Sequence, residues 1–131
     1  MILTTKARYA VMAVIEIASQ PDNKPITLMH ISKNQNISLS YLEQIFVHLK
    51  KYQIVNSYRG PGGGYVLAKN KSEINVADII KAIEEPIKMT RCSTEIKGCM
   101  ANKTKCKTHH LWQGLEHKIY DYLNSITIDK I

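Results

Sequence analysis

The sequence has 131 residues, 44% of them hydrophobic, and a formal net charge of +7. That is one domain, or one domain with an appendage, large enough for a modest core, and its basic balance favours a polyanionic partner such as nucleic acid. No apolar run approaches membrane-spanning length, and the N-terminal run that superficially suggests a secretion signal is broken by Glu16 with no convincing cleavage site after it. The expectation is a soluble cytoplasmic protein with no membrane partner, in which thiols stay reduced.

Thr4 or Thr5 can cap a first helix to about Ser19, with Ala7, Ala10, Val11, Val14, Ile15 and Ala18 on its buried face. The stretch "PDNKP" breaks the chain with two prolines and a turn-forming pair. Thr27 can cap a short second helix, "LMHISKNQ". A third begins at Ser40, where Ser40 and Glu43 have the spacing of a capping box, and Leu42, Ile45, Phe46 and Leu49 form its buried stripe. The period then changes, and "IVNSYRGPGGGYVLAK" reads as two short strands joined by a mobile glycine-rich tip. Asn75 and Asp78 open a fourth helix, "VADIIKAIE", which Pro86 stops. After a polar, cysteine-bearing segment, Thr108 can cap a long last helix.

Three helices followed by a hairpin predict a mostly α fold, a winged helix-turn-helix with a β-hairpin wing and a long C-terminal dimerisation helix. The expected division is a winged helix-turn-helix DNA-binding domain over 1–86, a cysteine-bearing loop over 87–107, read below as cluster-binding, and a dimerisation helix and tail over 108–131. Ser40, Tyr41, Glu43 and Gln44 stand at the start of the recognition helix, nearest the base edges. Gln44 can pair with adenine, and Glu43 can accept from a cytosine amino group. Arg59, beside "GPGGG", can enter a minor groove, whose negative potential attracts guanidinium. Lys6, Arg8, Lys50 and Lys51 are candidate phosphate contacts. On the last helix, Leu111, Leu115, Ile119, Tyr122 and Ile126 form a stripe expected to bury against a second copy in a homodimer. Part of that stripe could instead pack on the first helix. The Gly-Lys-Ser/Thr ending of a phosphate loop is absent, and no nucleophile–base constellation is present, so catalysis is not expected.

All three cysteines fall in one segment: Cys92, Cys99 and Cys106, with six residues between successive ones, two residues between Cys106 and His109, and His110 next to that. Three thiolates and an imidazole can complete a tetrahedral zinc site or ligate an iron–sulfur cluster; a bare thiol switch is the third reading. Tight Cys-x-x-Cys knuckles are missing, and wide spacing with Gly98 adding freedom suits a larger, partly exposed cofactor. Spacing does not decide between His109 and His110.

Together "LTTKARYAVMAVIEIA", "ISLSYLEQIF", "RGPGGGY" and the Cys…Cys…Cys-x-x-His segment resemble the bacterial iron–sulfur cluster regulators (IscR-like) among winged-helix transcription factors, to about Leu123. The resemblance implies a homodimeric repressor or activator that binds double-stranded operator DNA, carries a [2Fe–2S] cluster and controls genes of iron–sulfur assembly. It places the cluster ligands on Cys92, Cys99, Cys106 and His109, the recognition residues on Ser40, Glu43 and Gln44, and the wing arginine on Arg59. The family has five residues between successive cysteines where this chain has six, and a nitric-oxide-sensing relative carries a [4Fe–4S] cluster on a similar loop. The chain also ends soon after the long helix, without an extended tail, from which little functional loss is expected.

Overall fold

The computed structural model describes residues 3–85, 92 and 98–131. Helix α1 (Thr5–Ala18) is capped by Thr4, whose Oγ1 accepts the Ala7 N–H at 3.1 Å. Glu16, the charge that interrupts the apolar run, ties α1 to the end of α2 (Leu28–Gln35). Its two carboxylate oxygens accept from Asn34 Nδ2 at 2.7 Å and Gln35 Nε2 at 2.6 Å. Thr27 caps α2 as expected, and Asn36 closes it in the left-handed conformation that reverses the chain.

Helix α3 (Leu39–Lys51) starts earlier than the sequence suggests. Ser38 stands at its cap, Ser40 Oγ lies 3.0 Å from Ser38 Oγ, and no side chain caps the first turn. The capping box expected of Ser40 and Glu43 therefore does not form. Ile37 and Leu42 flank the start at the spacing of a hydrophobic staple and are both buried, so the core sets the entry point instead. The stripe of Leu42, Ile45, Phe46 and Leu49 is buried as expected.

Strands β1 (Val55–Tyr58) and β2 (Gly64–Leu67) pair antiparallel, from Val55 opposite Leu67 to Tyr58 opposite Gly64. Ile26 adds a third edge, exchanging backbone bonds with Tyr65 at 3.1 and 2.8 Å. Gly64 makes that possible: at φ 142° it lies so close that a Cβ would stand 2.5 Å from the Ile26 carbonyl oxygen. Phe46 packs edge-on against Tyr65 at 4.7 Å, joining α3 to the hairpin.

Helix α4 (Val76–Ala82) opens with both halves of the Asn75–Asp78 capping box in place, at 2.8 and 3.3 Å. It ends earlier than expected, and Glu84 follows with φ 62°. Pro86, the expected stop, lies outside the described residues. Helix α5 (His109–Ser125) packs on α4, and the chain beyond it returns to the winged body. Val76 N–H donates to the Ile126 carbonyl and Ile128 N–H to the Ile74 carbonyl, each at 2.9 Å, and Ile128 is buried. No described helix is long and apolar enough to cross a membrane.

Candidate metal centre and DNA-facing surface

Three parts of the chain converge on one point: Cys92 beyond α4, the turn from Gly98 to Cys106, and the first residue of α5. The sulfurs of Cys92, Cys99 and Cys106 and a ring nitrogen of His109 all lie within 4.8 Å of one another. Cys92 Sγ is 3.7 Å from Cys106 Sγ, Cys99 Sγ is 3.6 Å from His109 Nδ1, and the Cys106 N–H donates to Cys99 Sγ at 3.3 Å. Cys92, Cys99 and His109 are buried and Cys106 is half-buried. His110 points elsewhere, exposed, with its ring edge-on to that of His109 at 5.4 Å. At the start of α5 it is His109 whose ring nitrogen lies among the three sulfurs.

Where it is described, the cysteine segment is not a slack loop. The Lys103 N–H donates to the Met100 carbonyl at 2.8 Å, and the Met100 N–H to the Thr104 carbonyl at 3.0 Å. Asn102 Oδ1 accepts from both the backbone and the hydroxyl of Thr104, at 3.3 and 2.6 Å. Gly98 does not add freedom here. At φ 153° it crosses Thr104 so closely that a Cβ would stand 2.4 Å from the Thr104 carbonyl carbon, and that crossing seats Cys99 beside Cys106.

The electrostatics favour ligand forms. The Cys106 thiol is held below its ordinary pKa, chiefly by the bond from Cys99 and then by the Thr108 hydroxyl, with Cys92 helping and partial burial opposing. Burial, then the charges of Lys105 and His110, push His109 below the ordinary histidine value. A thiolate and a neutral imidazole are the forms that bind metal. Thr108 precedes α5 as expected but caps no backbone amide; its Oγ1 accepts from Trp112 Nε1 at 2.9 Å and lies 3.7 Å from Cys106 Sγ.

On α3, Ser40, Glu43 and Gln44 are exposed side by side. Tyr41 is half-buried, its ring edge-on to Tyr9 of α1 at 5.6 Å. Arg59 is exposed at the wing, as is Arg8 on α1, while Lys6 is half-buried. Lys50 Nζ donates to Ser57 Oγ of β1 at 2.8 Å, and Lys51 Nζ lies 3.9 Å from Glu84 Oε1. The same Glu84 oxygen is 3.9 Å from His48 Nδ1, a buried nitrogen with no hydrogen-bond partner.

The family model of Rrf2, described as an iron-dependent transcriptional regulator, matches residues 3–131. The chain belongs to the Rrf2 family. The HTH-type transcriptional regulator IscR of Pectobacterium carotovorum is 47% identical over 129 residues, 98% of this chain and 77% of its own. Its counterpart in Escherichia coli is 45% identical, over 98% of this chain and 78% of its own. Among solved structures, that of CymR, the global cysteine regulator of B. subtilis, superposes with a TM-score of 0.84 at 29% identity, covering 99% of this chain and 95% of that one. T. potens IscR gives 0.80 at 31% identity, covering 99% and 85%.

This Rrf2 chain is thus a helix-turn-helix transcriptional regulator and not an enzyme. Its last helix carries an apolar face that the described residues leave open: Leu111, Leu115 and Tyr122 are exposed and Ile119 is half-buried. Ile126 departs from the expected stripe. It ends α5 in extended backbone and packs on the winged core, because its carbonyl is held by Val76. Two residues escaped the sequence reading. Val47 is 66% exposed one turn beyond Glu43, an apolar side chain on the polar face, and that contrast was the available signal. The other is Glu84, whose approach to His48 and Lys51 of α3 nothing in the sequence marks.

Proposed function

We propose that this Rrf2 regulator senses iron–sulfur status. In this reading Cys92, Cys99, Cys106 and His109 hold a [2Fe–2S] cluster, and the state of that site sets how a homodimer engages a double-stranded operator. The genes so repressed or activated are those of iron–sulfur cluster assembly. The observation that carries the reading is the convergence of four donors within 4.8 Å from three separated parts of the chain. The iron-dependent family description and the IscR-named relatives support it. A [4Fe–4S] cluster, the alternative, also takes four donors but would need them spread further apart than they stand here. One observation favours a zinc ion as a second reading. Bonds of about 2.3 Å to sulfur and about 2.0–2.1 Å to nitrogen give tetrahedral edges close to the 3.7 and 3.6 Å separations found here.

A bound cluster supplies an oxidant-sensitive cross-link between the segment after α4 and the start of α5. The chain's own residues carry that state toward DNA. Glu84, at the end of α4 and eight residues before Cys92, touches His48 and Lys51 on the last turns of α3. In this reading Glu84 is the described contact by which the state of the site reaches the recognition helix. Ser40, Glu43 and Gln44 read base edges, with Val47 offering an apolar contact to a thymine methyl. Tyr41 positions α3 through Tyr9. Arg59 enters the minor groove, and Lys6, Arg8, Lys50 and Lys51 face phosphates. Leu111, Leu115, Ile119 and Tyr122 bury against the same face of a second copy.

Anaerobic purification with a visible absorption spectrum, iron, zinc and labile-sulfide analysis tests the reading. Brown-red protein with iron and sulfide in equal amounts is expected. Colourless protein with one zinc per chain would transfer the site to the second reading, and colourless protein with neither metal would overturn both.

A further inference from the structure

We propose that the metal-free form of this protein is a two-electron thiol switch that closes a disulfide between Cys92 and Cys106. The two sulfurs are 3.7 Å apart, within a small side-chain adjustment of a bond of about 2.05 Å. Cys99 also lies beside Cys106, whose backbone N–H it accepts at 3.3 Å, but its sulfur faces the His109 ring, with Nδ1 at 3.6 Å. Cys106 is the least buried of the three, so an oxidant from solvent meets it first. Cys92, buried beside it, is placed to resolve the oxidised sulfur.

With hydrogen peroxide as oxidant the chemistry balances. The Cys106 sulfur attacks one peroxide oxygen, the O–O bond breaks, and the departing hydroxide takes a proton to leave as water, giving Cys106–SOH. The Cys92 sulfur then attacks the Cys106 sulfur, the S–O bond breaks, and the hydroxyl leaves with the Cys92 proton as a second water. Two thiols have lost two electrons and two protons, and one peroxide has become two waters. The product keeps Cys99 and His109 but withdraws two of the four donors, so metal is refused until a dithiol reductant reopens the bond.

The switch holds whether the resident group is a cluster or zinc, and its test needs neither. The full-length protein is stripped with a chelator, reduced, treated anaerobically with one equivalent of hydrogen peroxide, alkylated and cut with trypsin without reduction. Lys97, Lys103 and Lys105 separate the three cysteines onto different peptides. The expected result is a peptide pair joining Cys92 to Cys106 with the loss of two hydrogens, Cys99 alkylated, and all three alkylated after dithiothreitol. Cys99→Ser should form the same link. A dominant link through Cys99, a link between chains, or Cys106 driven to sulfinic acid without any link would overturn the proposal. Failure of the absorption test above would leave this mapping unaffected, so the two readings fail separately.

Discussion

Phe46 and His109 are almost equally hidden from water, at 1% and 2% exposure, for opposite reasons. Phe46 lies in a continuous apolar core that runs from Ala10 and Val14 of α1 through Leu42 and Leu49 to Ile79 and Ile80 of α4. His109 lies among three thiols that gain little from leaving water until something binds them. The winged body is thus held by hydrocarbon and should stand by itself, whereas the ligand-bearing segment should gain its full stability only on binding a metal or cluster. Damage to the ligand-bearing segment should leave the body measurable, whereas damage to the body reaches both.

The largest effect belongs to the body. Phe46→Ala should cost about 3–5 kcal/mol, read as a lowered urea midpoint in far-ultraviolet circular dichroism, and should take the metal site with it. Next, His109→Ala should leave that midpoint near wild type while weakening cofactor retention by more than the about 10–100-fold that loss of an outer partner costs. The decay of visible absorption reports it. His110→Ala should retain the cofactor, and the reverse ranking would move the ligand to His110. Third, the DNA face belongs to the body, so its variants should change binding without changing the absorption spectrum. Gln44→Ala should lose about 1–3 kcal/mol at a single base position. Glu43→Ala, which removes an anion beside a polyanion, should raise affinity for poor sites more than for the best one. A binding series over single-base operator variants at fixed salt separates these, and equal weakening at every site would withdraw Glu43 from base discrimination.

The smallest effect is with pH. His109 is pushed below its ordinary value, so below about pH 6.5 the unfolded segment binds a proton that the folded one refuses; the stability present above that pH is lost as pH falls through it. Cys106 is also lowered, and its contribution is present above the ordinary thiol value and fades as pH falls through the depressed one. Both signs make the metal-free segment weaken on acidification. Trp112, the sole tryptophan and bonded to Thr108, gives a fluorescence signal from this region. It should shift on acidification while the circular dichroism of the body does not.

Much of the body was legible because its signals are local. Thr4, Thr27 and the Asn75–Asp78 pair cap helices where the sequence places them, and the glycine-rich tip joins two strands. The start of α3 was misread because a tempting Ser-x-x-Glu spacing competes with the burial of Ile37, a tertiary effect that no local pattern reports. Cys92, Cys99 and Cys106 could be named as donors from residue type, yet their convergence depends on a turn and a helix start that spacing does not encode. The same holds for Ile126, where helical periodicity continues in the sequence after the helix itself has ended.

Gly98 carries a consequence for inheritance. Any side chain at this position runs into the Thr104 backbone, which must then move and carry Cys99 away from Cys106. A lineage could therefore lose the convergence of the four donors through one substitution that leaves every thiol and imidazole in place, a lesion invisible to an inventory of ligands. The mutational target of the centre is wider than the four residues that hold it.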